Sequence, residues 1–396
     1  MKFKKATLLC FTAVFALLSG GCANKAGSGN NNTESEKPDM DLSKEIAYTA
    51  SRENVKLLGR TYFDGNILYC ALSGTGAEFR FTGTQCSLTL KGDSNSSNAQ
   101  AKDNHARIGI YLDGERVIND MIDESEKSYE VFKAEEPREV TVSVVKLSES
   151  PMSTVGIKEI RCVGSAIKPT KNKDMLIEFI GDSITCGYGI DDPDKDHHFV
   201  TATEDVTKAY AYLTAKALDA DYSMLSFSGY GIISGYTDND NKVSAQTVPQ
   251  FYTKLGYSWG KNGDFSPQET EWDFSGRQPD LVVVNLGTND DSYTQNDMER
   301  QSEYSEKYTE FLKLIREKNP DARILCVLGV MGDRLYPFVE KAVNDFAQQT
   351  GDDKVSSFRL TPQSARDGYS ADWHPSVKTH EKTAENVAEE IKRLMN

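Results

Sequence analysis

The hydrophobic pattern of this chain changes its period once, between about residues 167 and 174, and that change restricts it to two kinds of fold placed end to end. From about Asp41 to Ile167 the apolar residues come in short, largely alternating runs. Ala77–Thr82, Cys86–Leu90, Ile108–Leu112 and Val140–Val145 are the clearest, and Gly74-Thr75-Gly76, Asp93-Ser94-Asn95 and Asp113-Gly114 punctuate them. Such runs, bounded by turn-forming residues, read as strands. No long helical pattern intervenes, so the strands must bury their apolar faces on one another. That predicts a β-sandwich of jelly-roll type over residues 41–167.

From about Asp174 strand-like runs alternate with helical spacing. The runs are Leu176–Ile180, Tyr222–Phe227, Leu281–Leu286, Ile324–Val330 and Val355–Leu360. Between them, Tyr304, Tyr308, Phe311 and Ile315 share one helix face, as do Val387, Ile391 and Leu394. Alternation of this kind predicts an α/β/α domain over residues 168–396, with a parallel sheet covered on both faces. Ligands bind such sheets beyond the carboxyl ends of the strands, so the informative residues are those that follow each run.

They are polar or glycine-rich: Gly181-Asp182-Ser183-Ile184-Thr185, Ser228-Gly229-Tyr230-Gly231, Gly287-Thr288-Asn289-Asp290 and Asp372-Trp373-His374-Pro375. A serine becomes a nucleophile only when a base takes its proton. The chain has five histidines. His105 falls in the β region, His197 and His198 in an acidic loop, and His380 at the start of the last helix. His374 falls in the loop after the last strand, with a carboxylate two residues before it. Ser183 and His374 are therefore the candidate nucleophile and base, and Asp372 the candidate for orienting the imidazole. The N–H groups of Ser183 and Gly229 and the amide of Asn289 are the candidate oxyanion donors. Asp182 and Asp290 read as structural, through capping and turn closure.

In order and content these motifs resemble the SGNH (GDSL-type) hydrolases. With the β-sandwich in front, the chain is similar to carbohydrate esterase family 2 over about residues 45–396. The resemblance implies that Ser183 and His374 are catalytic, that Gly229 and Asn289 donate to the oxyanion, and that acetyl groups are removed from xylan- or glucomannan-like polysaccharide without a metal. One position departs from the wider superfamily, which places Asp three residues before His. Ala371 stands there, and Asp372 is two before, as in some members of the family; others use a backbone carbonyl.

Tyr188, Trp259 and Trp373 are the candidate substrate-binding aromatics, with packing the competing reading for each. Trp259 falls, with Tyr257 and Trp272, in a segment over 234–278 that is longer than an ordinary connection. His197 and His198 lack the spacing of a metal site. The cysteines beyond the leader, Cys70, Cys86, Cys162, Cys186 and Cys326, contain no C-x-x-C pair. No metal or cofactor is expected. These thiols read as buried and free, with a disulfide such as Cys70–Cys86 as the alternative.

Lys2, Lys4 and Lys5, the apolar run Leu8–Leu18 and Ser19-Gly20-Gly21-Cys22 read as a signal peptide over residues 1–21, with Cys22 placed to take a lipid anchor. Residues 22–40 read as a flexible tether. The expected localisation is therefore the bacterial cell surface, with full secretion as the alternative. Removing residues 1–21 deletes three lysines and no acid, which takes the net charge from −15 to −18. That charge argues against a nucleic-acid partner. The expected partner is an acetylated polysaccharide or oligosaccharide, and the expected state a monomer. Alternatives within the fold are an esterase or acyltransferase acting on peptidoglycan or short-chain lipid esters, or a carbohydrate-binding lipoprotein with vestigial catalysis.

Overall fold

The structure, a computed structural model, describes residue 42 and residues 44–395. The expected signal peptide, the expected anchor at Cys22 and the expected tether over 22–40 lie outside the described residues. Among those described, no helix is long and apolar enough to cross a membrane.

The first part is a ten-stranded antiparallel sheet. Its strands are β1 (Glu45–Tyr48), β2 (Lys56–Leu58), β3 (Thr61–Phe63), β4 (Leu68–Cys70), β5 (Gly76–Gly92), β6 (Ala106–Leu112), β7 (Glu115–Ile122), β8 (Glu126–Lys146), β9 (Val155–Gly164) and β10 (Lys168–Pro169). The order is β3-β4-β9-β5-β8-β6-β7, with β1 added to β9 and both β2 and β10 to β5. The runs Ala77–Thr82 and Cys86–Leu90 belong to one strand, β5. Its buried apolar positions are Ala77, Phe79 and Phe81 before a register shift at Gly83–Gln85, and Cys86, Leu88 and Leu90 after it. An extra residue reverses which parity faces inward, so the bulge keeps both halves on the core. One edge of β5 follows β8 throughout. The other exchanges β2 and β10 for β9 along its length, which wraps the sheet around its apolar side chains. Cys70, Cys86, Cys162, Cys186 and Cys326 are buried free thiols, and the cross-strand partner of Cys86 is Cys162, not Cys70.

The second part is a five-stranded parallel sheet of β11 (Leu176–Gly181), β12 (Asp221–Ser226), β13 (Leu281–Asn285), β14 (Arg323–Leu328) and β15 (Val355–Arg359), in the order β12-β11-β13-β14-β15. The helices are α1 (Ser183–Cys186), α2 (Tyr210–Ala217), α3 (Thr288–Thr294), α4 (Met298–Lys318), α5 (Tyr336–Thr350) and α6 (Val377–Met395). The central strand β13 is buried on both sides. Val282 and Val284 pack with Tyr304, Phe311 and Phe346 of α4 and α5, while Leu281 and Val283 pack with Tyr210 of α2 and Ile391 of α6. Near-continuous apolar strands are the consequence of covering both faces. A two-residue hairpin of β16 (Tyr369–Ser370) and β17 (His374–Pro375) follows β15.

Ion pairs join the two parts, the first of them buried. Arg60, 1 % exposed, bonds through Nε to Glu178 Oε1 on β11 at 3.0 Å and through Nη1 to the Tyr252 carbonyl. Its guanidinium also lies against the rings of Tyr252, Trp272 and Phe274. Arg107 and Arg116 reach Asp191 and Asp205, each at 2.7 Å.

Candidate active site

Register brings the motifs together. Gly181 is paired with Ser226 on one side and with Asn285 on the other. The turns after β11, β12 and β13 therefore leave the sheet side by side. Gly181 is required where the first turn tightens, because a Cβ there would lie 2.0 Å from Thr185 Oγ1. Asp182 caps α1 by accepting from the Ile184 N–H at 3.0 Å. Its buried carboxyl is pushed up to about 7, by loss of solvation and then by the Asp290 charge. Ser183 follows as the first residue of α1 and is 5 % exposed.

His374 Nε2 lies 2.9 Å from Ser183 Oγ. Its Nδ1 lies 3.1 Å from the backbone carbonyl of Asp372. A carbonyl only accepts, so Nδ1 carries the proton and Nε2 presents its lone pair to the serine hydroxyl. Burial pulls the imidazole down to about 4, partly offset by that carbonyl and by the Asp372 charge. His374 is thus held neutral at neutral pH.

The Asp372 carboxylate does not take the place expected of it. It accepts from the Tyr188 hydroxyl at 2.9 Å and the Phe199 N–H at 2.9 Å, and pairs with His198 Nδ1 at 2.9 Å. The local backbone explains why. Asp372 and Trp373 both have positive φ, 50° and 62°, which turns the Asp372 carbonyl toward the ring and its side chain toward the 188–199 segment. Backbone bonds from Ala371, Asp372 and Trp373 to the carbonyls of Asp192, His197 and Lys195 hold this tip against the acidic loop. Non-glycine residues adopt this conformation only where their surroundings impose it. His197 and His198 thus serve as loop residues, bonded to Asp192 and Asp372.

Gly229 has φ of +83°, and a Cβ there would meet open space. The N–H groups of Ser183 and Gly229 make no hydrogen bond among the described residues. Asn289, 6 % exposed, uses one amide hydrogen to bond the Tyr230 carbonyl at 2.8 Å, which leaves the other available. Asp290 gathers the N–H groups of Ile232, Ile233 and Ser234 at 2.7 to 3.2 Å, so it fastens the loop after β12 onto α3. Burial raises its carboxyl to about 6.

The aromatics divide. Tyr188 is half-buried and stacks under the imidazole, with ring centroids 4.1 Å apart, and against Phe199 at 4.0 Å. Its place is beneath the base rather than on an open rim. Trp373 is 50 % exposed, with Lys195 over its ring at 4.4 Å. Trp259 is 56 % exposed and packs edge-on against Tyr257, and its backbone N–H donates to the Pro151 carbonyl of the first part. A cleft of about 380 Å³ opens at the other ends of the strands, lined by Lys56, Leu176, Asp221, Tyr222, Trp272 and Asn319. It lies away from Ser183.

Known proteins show the same two-part arrangement. Residues 179–382 match the GDSL-like lipase/acylhydrolase family, and residues 57–170 match the carbohydrate esterase 2 N-terminal domain. The cellulase/esterase CelE of Acetivibrio thermocellus is 31 % identical over 361 residues, which cover 89 % of this chain and 41 % of that protein. This chain therefore spans less than half of that relative's length. An acetylxylan esterase / glucomannan deacetylase of Cellvibrio japonicus is 26 % identical over 377 residues, 93 % of this chain and 95 % of that protein. Among solved structures, a family two carbohydrate esterase from Clostridium thermocellum in complex with cellohexaose superposes with a TM-score of 0.74 at 28 % identity, over 86 % of this chain and 99 % of that one. An acetyl xylan esterase from Butyrivibrio proteoclasticus shares the fold with a TM-score of 0.78 at 24 % identity, over 89 % and 98 %. The chain belongs to the GDSL-like lipase/acylhydrolase family, with a carbohydrate esterase 2 N-terminal domain in front of its hydrolase domain.

Proposed function

We propose that this protein is a serine esterase that removes O-acetyl groups from polysaccharide, of the xylan or glucomannan kind, through an acetyl-Ser183 intermediate. The observation that carries the reading is the 2.9 Å contact between Ser183 Oγ and a His374 Nε2 whose tautomer is fixed from behind. His374 takes the hydroxyl proton as Oγ attacks the acetyl carbonyl. The N–H groups of Ser183 and Gly229 and the free amide hydrogen of Asn289 receive the oxyanion. The imidazolium then gives its proton to the departing sugar oxygen. Water, activated by the same nitrogen, releases acetate and restores Ser183. Trp373 and Trp259 offer exposed faces for a sugar ring. Tyr188 and the Asp372 carboxylate position the base.

The domains are assigned as 41–167 and 168–396, after a signal peptide over 1–21 and a tether over 22–40. Export with a lipid on Cys22 rests on the sequence of residues 1–22. The substrate class is supported by the named activity of the Cellvibrio relative and by the oligosaccharide bound in the Clostridium structure. The test is acetate release from acetylated xylan, acetylated glucomannan and acetylated muropeptides by purified protein. Release from the first two and not the third supports the reading; release from muropeptides alone replaces the substrate class.

A further inference from the structure

Beneath the turn that presents Gly229 lies a buried set of polar side chains contributed by both parts of the molecule. The connection between β8 and β9, residues 147–154, carries Glu149 into the hydrolase domain, where it is fully buried. Glu149 Oε2 accepts from the Ser228 N–H at 2.8 Å. The Glu149 N–H donates to Glu204 Oε2 at 2.8 Å, and its carbonyl accepts from Lys146 Nζ at 2.9 Å. Cys186, which ends the helix that Ser183 begins, places Sγ 3.9 Å from the same Glu149 oxygen and 3.2 Å from Ser226 Oγ. Glu149, Cys186 and Glu204 bring ligand-type atoms within 4.8 Å of one another. Lys146 Nζ bonds the Ser148 and Glu149 carbonyls beside them, and Glu149 Oε2 is spent on the Ser228 N–H, while Glu149 Oε1 and Glu204 Oε1 have no hydrogen-bond partner.

What is anchored is the peptide that joins Phe227 to Ser228, one residue before the Gly229 N–H. A glycine with φ of +83° and open space where its Cβ would be is not fixed by its own side chain. An oxyanion donor works only when held in place before reaction. Three other bonds touch this turn: Tyr230 N–H to the Phe227 carbonyl at 3.3 Å, which closes it, Tyr236 N–H to the Gly229 carbonyl at 2.8 Å and Asn289 to the Tyr230 carbonyl at 2.8 Å. The last two act on carbonyls after the Gly229 N–H, and Glu149 is the side chain that bonds the Ser228 N–H before it.

We infer that Glu149 is a positioning residue of the active site: its carboxyl oxygen holds the Phe227–Ser228 peptide at the entry of the turn, and through Ser228 sets the direction of the Gly229 N–H toward the acyl oxygen, which makes the β-domain a working part of the catalytic apparatus. The inference rests on the reading of Ser183 as nucleophile and Gly229 as oxyanion donor. Burial raises the Glu149 carboxyl. The contact it makes with the turn is an accepted hydrogen bond, which an amide oxygen can also make.

The experiment compares Glu149→Met, which keeps volume without an acceptor, with Glu149→Gln, which keeps the acceptor. It measures kcat and KM on a soluble acetyl ester, thermal stability, and the fraction of active enzyme by titration with a fluorophosphonate. In Glu149→Met, kcat per titrated site falls about 10- to 100-fold with KM little changed, and Glu149→Gln restores the larger part of that loss. A merely structural role would lower stability or the titrated fraction and leave kcat per site alone. Wild-type kcat per titrated site in Glu149→Met overturns the inference; if that variant does not fold, Glu149→Gln with a kcat loss as large as that of Asn289→Ala overturns it. Ester hydrolysis that survives Ser183→Ala would instead overturn the underlying reading.

Discussion

The two ends of the parallel sheet use buried charge in opposite ways. At the amino ends, Arg60 and Glu178 are nearly inaccessible, paired at 3.0 Å, and the guanidinium is enclosed by three aromatic rings. At the carboxyl ends, Ser183 and Gly229 keep unbonded N–H groups, Asp372 and Trp373 sit in left-handed backbone, and His374 is pushed toward its neutral form. One end satisfies its polar groups and joins the domains. The other leaves donors unspent and holds strain, as sites that must stabilise a transition state do. Substitutions should separate the two ends cleanly, one set through kcat and the other through stability.

His374→Ala has the largest expected effect on catalysis. Loss of the base should lower kcat by at least about 10³-fold, as should Ser183→Ala, with the melting temperature little changed. A folded His374→Ala enzyme within tenfold of wild type would erase the distinction between the ends. At the other end, Arg60→Ala leaves Glu178 buried without its partner and should cost about 3 to 5 kcal/mol in denaturant unfolding, with kcat of the folded fraction unchanged. Arg60→Met with Glu178→Met should recover most of that loss. Stability equal to wild type in the single variant would show that the pair joins nothing.

Asn289→Ala sharpens the catalytic side. Loss of one oxyanion donor should lower kcat by about 10²-fold, or roughly 2.7 kcal/mol, with KM little changed. A rise in KM at constant kcat would make Asn289 a ground-state contact. Asp372→Ala should have the smallest effect, because the carbonyl that orients His374 belongs to the backbone and survives the substitution. Since burial places the imidazole near 4, the acid limb of kcat/KM in the wild type should lie below the ordinary histidine value of about 6.5. The Asp372 charge favours the imidazolium, so its removal should shift the limb further down in pH. An Asp372→Ala loss as large as that of His374→Ala would mean that the carboxylate, not the carbonyl, supports the base.

The same contrast explains what could be read from the chain. The strands of the parallel sheet and the apolar faces of α4 and α6 were legible because burial on both faces writes period and run length directly into sequence. Ser183, Gly229, Asn289 and His374 were legible because topology puts the ends of parallel strands together. The β-domain was legible as many strands, yet the bulge in β5 reads as a break, since a reversed parity and a strand end look alike along one chain. Asp372 was found by spacing, but spacing carries no information about which of its oxygens faces the ring; two positive φ values decide that. Tyr188 lay close to Ser183 in sequence without any sign that its ring supports the imidazole. Glu149 carried no signal at all, because it stands in a connection of the first domain and meets Ser228 only in the folded molecule.

The central claim is that Ser183 carries the acyl group between the two halves of the reaction. Rapid quenching of wild-type enzyme during turnover of an activated acetyl ester, followed by peptide mass spectrometry, tests it directly. One acetyl group should be found on the peptide containing Ser183, more of it in Asn289→Ala if deacetylation is slowed more than acylation, and none in Ser183→Ala. Acetyl on another residue, or none at all under conditions where the Ser183 peptide is fully observed and Ser183→Ala still turns over, would contradict it.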